Sequence, residues 1–415
     1  MVKFFHTKLC VWGLKLAGHG KGMVINMKIV HLCLVMGYTE GLNYQENNMI
    51  RYQARDGHDV NLITTDHCFT EGEWGLCRTE SDYINPDGVH IIRLPFAFKL
   101  PYNVNRQIGI FKGFRRKLEE LRPDVIFVHN LQFQDLRRVK AYKKAHQDVV
   151  IYADNHSDFS NSARNWFSRN TLYRFWWRPC AKTVEPFVKT FFGVTPGRVE
   201  FLQNIYGISK DKTDLLVMGA DDESVEYAEK LRIRQEVRKK FGVEEKDFLV
   251  VTGGKIDAFK TQTLLLMEAV REIKNDGLKL LVFGSVEEEL KERLLSLCDG
   301  KKIQYIGWAK GEQSYEYFAS ADLVVFPGRH SVYWEQVVAQ GIPMLCKFWE
   351  GTTHVDIGGN VEFFMEDSTK LIGKKLLELL DNSEKYRKMK ESAISDKRHQ
   401  FSYKAISRKA VGLEE

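Results

Sequence analysis

The stretch DFLVVTGG, residues 247–254, decides the fold. Its apolar and β-branched run has no polar break, which reads as a strand buried on both faces. The two glycines at its end let the backbone approach a ligand closely. The same grammar recurs outward from it. LKLLVFGS (278–285), IQYIGW (303–308), ADLVVFPG (321–328) and IPMLCKF (342–348) are further buried strands, separated by helical segments such as TQTLLLMEAVREIKND (261–276) and VEEELKERLLSL (286–297). Upstream, MKIVHLCLVM (27–36), GHDVNLITT (57–65), DVIFVHN (124–130) and DVVIYADN (148–155) repeat the pattern. Strands alternating with helices in this way predict right-handed βαβ units and parallel sheets.

The 415 residues suffice for two such sheets. The expected division is a leader over 1–26, a first domain over 27–222, a charged helical and solvent-exposed linker over 223–246, a second domain over 247–395, and a terminal segment 396–415 whose helix packs back on the first domain. The leader reads as an upstream start or a disordered extension, with a membrane-surface segment as the alternative. No later stretch reaches the apolar length of a membrane span. The 61 basic against 55 acidic residues leave a net charge of +6, which suits an anionic small ligand or an anionic lipid surface and does not by itself argue for nucleic acid. The seven cysteines are odd in number and form no C-x-x-C pair, so neither a disulfide framework nor a structural zinc site is expected, and a reducing, cytoplasmic location fits.

In paired doubly wound domains the ligand cleft lies at the carboxyl ends of the strands. The unusual residues stand there. Gly253, Gly254 and Lys255 end one strand and Lys260 opens the next helix, a pattern suited to a diphosphate held without metal; its bland counterpart is a tight turn with two solvated lysines. After ADLVVFPG comes RHSVYWEQVVAQGIP, in which Glu335 sits on a short helix between strands. Its two acceptor oxygens match the two hydroxyls of a ribose, or it answers the helix dipole.

EQVVAQGIP (335–343) closely resembles the second half of the nucleotide-sugar signature of the family-4, or group 1, glycosyltransferases. The resemblance implies the GT-B architecture: α/β, two doubly wound Rossmann-like domains facing across a cleft. It also implies a retaining, metal-independent sugar transfer with no cofactor, from a UDP- or GDP-linked donor. Gly254-Lys255 and Lys260-Thr261 resemble the family's diphosphate loop, with Lys255 in place of its usual arginine. Gly307 resembles its glycine beside the donor base, and Gly41, in GYTEGLNYQEN (37–47), its glycine near the donor phosphate. The family's first signature glutamate is missing: Pro327 stands eight residues before Glu335. His330, Ser331 and Val332, beside Arg329, would then meet the donor sugar. The shortened loop resembles that of transferases of bacterial surface-polysaccharide assembly.

By the same resemblance His156, in DNHSD (154–158), falls at the reacting carbon, with His129 as the competing candidate. His31 reads as a core residue. Tyr44, Gln45 and Glu46 are candidate acceptor contacts, beside Glu40. The family fold also predicts LLVMGADDE (215–223) as the last strand of the first domain. The acceptor would be a glycan or a lipid-linked molecule. RNWFSRNTLYRFWWRPCAK (164–182) interleaves aromatics with arginines. It reads either as core packing or as a peripheral contact with the inner membrane; a single-stranded nucleic acid is the third reading, and no nucleic-acid partner is expected. The rivals are a non-catalytic nucleotide-sugar-binding subunit and a sugar-nucleotide epimerase of the same fold. An oxidoreductase would need G-x-G-x-x-G after the first strand, which GYTEGLNY does not supply.

Overall fold

The computed structural model describes residues 26–413 apart from 71–72, 78–79, 160–161, 164 and 259. The leader therefore lies outside the described residues, Asn26 excepted. The chain forms two sheets and a hairpin. In chain order the first sheet and hairpin use β1 (Lys28–Cys33), β2 (Asp59–Thr65), β3 (His67–Thr70), β4 (Glu73–Leu76), β5 (Asp82–Ile84), β6 (His90–Leu94), β7 (Val125–His129), β8 (Val150–Asn155), β9 (Thr190–Gly193) and β10 (Thr213–Leu215). The sheet order is β10-β9-β8-β7-β1-β2-β6-β5, parallel throughout except at β5. The second sheet uses β11 (Phe248–Gly253), β12 (Leu278–Phe283), β13 (Ile303–Tyr305), β14 (Leu323–Phe326), β15 (Met344–Lys347) and β16 (Val361–Phe364), in the order β13-β12-β11-β14-β15-β16, all parallel.

The strand order reverses between β1 and β7 in one sheet and between β11 and β14 in the other. Crevices at such switch points are where doubly wound sheets bind ligands. Register holds them tightly: Ile29 pairs with Val60 on one side and Val125 on the other. The inner strands are buried along most of their length, and each buried Leu, Ile or Val side chain is worth about 1.5–3 kcal/mol. Helices Phe114–Leu121 and Leu136–Ala145 cover one face of the first sheet, where Leu118, Leu136 and Val139 meet Ile126 and Val128.

The opposite apolar layer, with Ile29, Phe127 and Tyr152, runs without a break through Phe401 and Ile406 to Trp334 and Val337 of the second domain. Helix Tyr403–Ala410 makes this join. It lies on helix Gln45–Arg55, where Gln53 Nε2 donates to the Ser407 carbonyl at 3.0 Å.

Three expectations need correction. The last strand of the first domain is β10, which ends at Leu215; the stretch to Asp221 leaves the sheet to meet the chain's end. Ala220 and Ser402 form an isolated parallel bridge, and a Cβ on Gly219 would fall 2.2 Å from the Phe401 carbonyl. The charged connection, helices Asp222–Ala228 and Leu231–Lys240, is not wholly solvent-exposed. Ile233 and Val237 are buried, and so is Arg238, which reaches Asp322 at 3.1 Å and the Glu244 and Asp247 carbonyls at 2.6 and 2.7 Å. Finally, Cys68 and Cys77 are paired as a disulfide across the β3–β4 hairpin. Their nine-residue spacing carries no motif, and only the hairpin register brings them together.

Candidate functional site

On the second domain, the ends of β11, β12 and β13 form a shelf of bare backbone. Gly254, Gly284 and Gly307 all have positive φ (128°, 134° and 78°). Gly254 N–H donates to the Phe283 carbonyl at 3.1 Å and Gly284 N–H to Gly307 at 2.8 Å. A Cβ on Gly284 would sit 1.8 Å from the Gly254 carbonyl, so only glycine fits there. Two lysines border the shelf and differ in state. Lys255 is exposed and ion-paired to Asp257 (3.2 Å) and Glu287 (3.3 Å), which raise its ammonium above the usual range. Lys260 is half-buried and makes no ion pair among the described residues, and burial lowers its ammonium. The loop after β14 lies against it: a Cβ on Gly328 would be 3.8 Å from Lys260 Cβ. A desolvated, unpaired ammonium beside exposed backbone near a helix start is an anion site in waiting.

Glu335 stands in the first turn of helix Tyr333–Ala339 and is fully buried. Its Oε1 accepts from His330 Nε2 at 2.8 Å and from His354 Nε2 at 2.9 Å. Burial works against ionisation, but the two histidines outweigh it and hold the carboxyl well below the usual range. Oε2 is buried and has no partner. A buried acceptor left unmade costs about 1–3 kcal/mol, so this oxygen is built for a donor that the folded chain does not supply. The three ligand atoms of His330, Glu335 and His354 lie within 4.8 Å of one another, a spacing a divalent cation would also accept. Ser331 and Val332 are half-buried, and their carbonyls start the helix by accepting from Trp334 and Gln336 N–H.

On the first domain the focus is Asp154, fully buried at the end of β8. Its Oδ1 accepts from Asn130 N–H at 2.9 Å; its Oδ2 faces His129 Nδ1 at 3.0 Å and His156 Nε2 at 3.4 Å. Asn130 also fixes the histidine loop, accepting from His156 N–H at 2.9 Å. Glu46 is buried; burial raises its carboxyl, and His129 and His156 lie near enough to pull it back. Gln45 is buried with neither end of its amide partnered, whereas Tyr44 turns to solvent. Gly41 has positive φ and open space at its Cβ position, and Glu40 is taken by the Tyr83 hydroxyl at 3.0 Å.

The two halves face one another. Burial raises the Tyr403 phenol, and among the charges that add to this are Glu46 from one domain and Glu335 from the other. Gly197 N–H donates to the Gly351 carbonyl across the domains at 3.0 Å. Asp221 ties the hinge: Arg51 and Tyr52 reach its Oδ1 at 2.6 and 2.7 Å, while Tyr315 of the second domain accepts from its N–H at 2.9 Å. The fold thus brings Gln45, Glu46 and His156 together on one wall and the Gly254 shelf, Lys260 and Glu335 on the other. Lys255 is exposed and ion-paired, and Tyr44 is exposed. A groove of about 1150 Å³ between helices Gln262–Glu272 and Thr369–Asp381 is lined largely by lysines and glutamates and shares none of these residues.

Sequence reasoning missed His354, Tyr403 and Asp221 as site residues, and Gln53 with them. His354 follows β15 in WEGTTHVD, so the strand-end rule would have reached it. The segment 164–182 divides by face: Trp177 and Tyr173 are buried, while Trp166 (76% exposed) and Phe175 (79%) stand in solvent with Phe167 and Trp176. Residues 168–177 form a π-helix, whose wider turn spoils the 3.6-residue period.

Two doubly wound domains, joined by a hinge and facing across a cleft, define the GT-B architecture. Residues 41–224 match the family described as Glycosyltransferase Family 4, and residues 233–396 match Glycosyl transferases group 1. The chain belongs to the family-4 (group 1) GT-B glycosyltransferases. It is 21% identical over 344 residues to a mannosylfructose-phosphate synthase of Agrobacterium fabrum, spanning 79% of this chain and 66% of that protein. Among solved structures it is similar to Anabaena Alr3699/HepE in complex with UDP (TM-score 0.65, 15% identity, 92% of this chain and 98% of that one). It is also similar to WaaG, a glycosyltransferase involved in lipopolysaccharide biosynthesis (TM-score 0.62, 17% identity, 92% and 100%).

Proposed function

We propose that this protein is a retaining, metal-independent hexosyltransferase that takes its sugar from a nucleotide donor and delivers it to a glycan or lipid-linked acceptor in cell-surface polysaccharide assembly. The observation that carries the reading is Glu335: Oε1 is occupied by two histidines, and the buried Oε2 awaits a donor. A ribose hydroxyl of the donor nucleotide answers that need. Lys260, with the Gly254 backbone, takes the diphosphate, and Gly307 lies beside the base. His330, Ser331 and Val332 meet the sugar. UDP is the first nucleotide to test, because the Anabaena relative binds it; GDP is the second.

In the transfer step the acceptor oxygen bonds to the anomeric carbon on the face the diphosphate leaves. The carbon–oxygen bond to the phosphate breaks, and the acceptor's proton passes to the departing phosphate oxygen. Lys260 and backbone N–H groups stabilise the growing negative charge. His156 orients the reacting groups at the sugar, and Gln45 and Glu46 hold the acceptor hydroxyls. Domain approach at Gly197 and Gly351 excludes water, the competing acceptor.

Phe175 and Trp176 line a groove of about 560 Å³ together with Ile108, Arg137 and Arg138, and Trp166 and Phe167 are exposed earlier in the same segment. Among the described residues no helix is long and apolar enough to cross a membrane. Aromatics beside arginines support a peripheral seat on the cytoplasmic face of an anionic membrane, next to a lipid-linked acceptor. The test is donor binding and turnover across UDP-, GDP- and ADP-sugars with and without chelator. Sugar transferred to a glycan or lipid acceptor much faster than the donor is hydrolysed without one, and unaffected by chelation, supports the proposal. Isomerised donor without acceptor would make the protein an epimerase, and binding without any turnover a non-catalytic subunit.

A further inference from the structure

Behind His156 runs a buried hydrogen-bond chain that the transfer mechanism does not use. It links the C-terminal helix to the end of β8: Ser407 carbonyl, Gln53, His31, His129, Asp154. We infer that this chain holds His129 as an imidazolium, with hydrogen on both ring nitrogens, and that His129 thereby positions Asp154 against His156.

The first bond and a neutral His31 together set the direction of the others. A backbone carbonyl only accepts, so Gln53 Nε2, 3.0 Å from Ser407 O, donates. Reversing the amide would set two carbonyl oxygens at that distance. Gln53 Oε1 therefore faces His31 Nε2 at 2.6 Å and accepts its hydrogen. His31 is neutral, because burial, with His129 second, pushes its imidazole down to about 3. With hydrogen on Nε2, its Nδ1 is an acceptor. The partner there is His129 Nε2 at 3.0 Å, which must donate.

At its other edge His129 Nδ1 meets Asp154 Oδ2 at 3.0 Å. Burial opposes ionisation of Asp154, but His156 and His129 outweigh it and hold the carboxyl far below the usual range. Its other oxygen is already bound by the Asn130 N–H. A carboxylate only accepts, so Nδ1 of His129 donates as well. Both nitrogens carry hydrogen, and the ring is a cation sealed beside its counter-charge. His129 then supplies a compensating charge for Asp154, on the same oxygen that faces His156 Nε2 at 3.4 Å. The other titratable groups facing this cluster are His31 and Cys33 from β1, Glu46 from helix Gln45–Arg55 and His156 itself.

The positioning role rests on the proposed place of His156 at the reacting sugar; the protonation pattern does not. Two-bond nitrogen–hydrogen correlation spectra of histidine-labelled full-length protein near neutral pH read it directly. The expected spectrum has one histidine with slowly exchanging hydrogens on both nitrogens and a second with hydrogen on Nε2 alone. Gln53→Met should strip the Nε2 hydrogen from the first and lower kcat roughly tenfold or more, with KM for the donor unchanged. A wild-type spectrum without a doubly protonated, slowly exchanging histidine overturns the inference, as does a Gln53→Met spectrum identical to it. An altered spectrum with unchanged kcat removes the positioning role alone. Absence of any transfer by wild type counts against the proposed function and leaves the spectral result standing.

Discussion

Glu335 and His354 meet at 2.9 Å, imidazole Nε2 to carboxylate Oε1, from elements separated by a whole strand. With His330 at 2.8 Å on the same oxygen, the carboxylate is turned so that Oε2 alone is left for a ligand. His354→Ala should leave Oε1 held by His330 alone and loosen the orientation of the carboxylate. A hydrogen bond to a charged group is worth about 1.5–3 kcal/mol, so donor affinity should fall roughly 10- to 100-fold. Calorimetric titration with UDP and UDP-sugars measures it, and His354→Gln, which restores an N–H donor, should recover part of the loss.

The depressed carboxyl of Glu335 also makes a pH prediction. A carboxyl whose folded pKa lies below its ordinary 4.5 stabilises the fold above that value and loses its contribution as pH falls below it. Wild-type Tm should therefore drop more steeply below about pH 4.5 than that of Glu335→Gln, and the two curves should run parallel above it. Thermal melts from pH 7 downward give the comparison; equal slopes in acid would mean the histidines do not hold the charge.

The two lysines of the glycine shelf should separate cleanly. Lys255 already shares its charge with Asp257 and Glu287, whereas Lys260 makes no ion pair among the described residues and feels Asp257 only at longer range. Lys260→Ala should weaken nucleotide-diphosphate binding by roughly 10- to 100-fold, and Lys255→Ala by only a few-fold. Titration of both variants with UDP decides it.

The strands were legible because buried parallel strands are written as unbroken apolar runs, as in KIVHLC and FLVVTG. β3, β4, β5, β6, β9 and β16 are not signalled by the sequence pattern. They are short, and β5 is an antiparallel edge strand with exposed residues. The glycine shelf, Lys260 and Glu335 could be read from strand-end position. The division of labour between the lysines could not, because it depends on Glu287, some thirty residues on, folding back onto Lys255. Nor could the His31–His129 pair, since a histidine in an apolar strand reads as packing until its neighbour across the sheet is known.

Domain approach depends on two small residues. A Cβ on Gly351 would fall 2.5 Å from Gly197 Cα, and its φ of 75° adds strain of about 1–2 kcal/mol for any other residue. Gly351→Ala should hold the domains apart on that side, enlarge the radius of gyration in solution scattering and slow transfer by about tenfold. An unchanged scattering profile with full activity would show that the contact has no part in closure.

The aromatic segment supplies a paired test. Phe175→Ser and Trp166→Ser change exposed side chains and should leave Tm within about 2 °C while abolishing flotation with phosphatidylglycerol vesicles. Trp177→Ala removes a buried ring and should cost about 3–5 kcal/mol of stability. Flotation that survives both serine variants would assign these aromatics to another surface function.

The most direct test of the donor site is titration and slow hydrolysis of UDP-, GDP- and ADP-sugars by wild type and Glu335→Ala. One donor should bind and be slowly hydrolysed by the wild type, with both signals lost in the variant while its melting profile near neutral pH stays cooperative. If no nucleotide sugar binds at roughly millimolar concentration, where even about −4 kcal/mol of affinity would register, the buried oxygen of Glu335 does not serve a donor nucleotide and the transferase reading of this site is wrong.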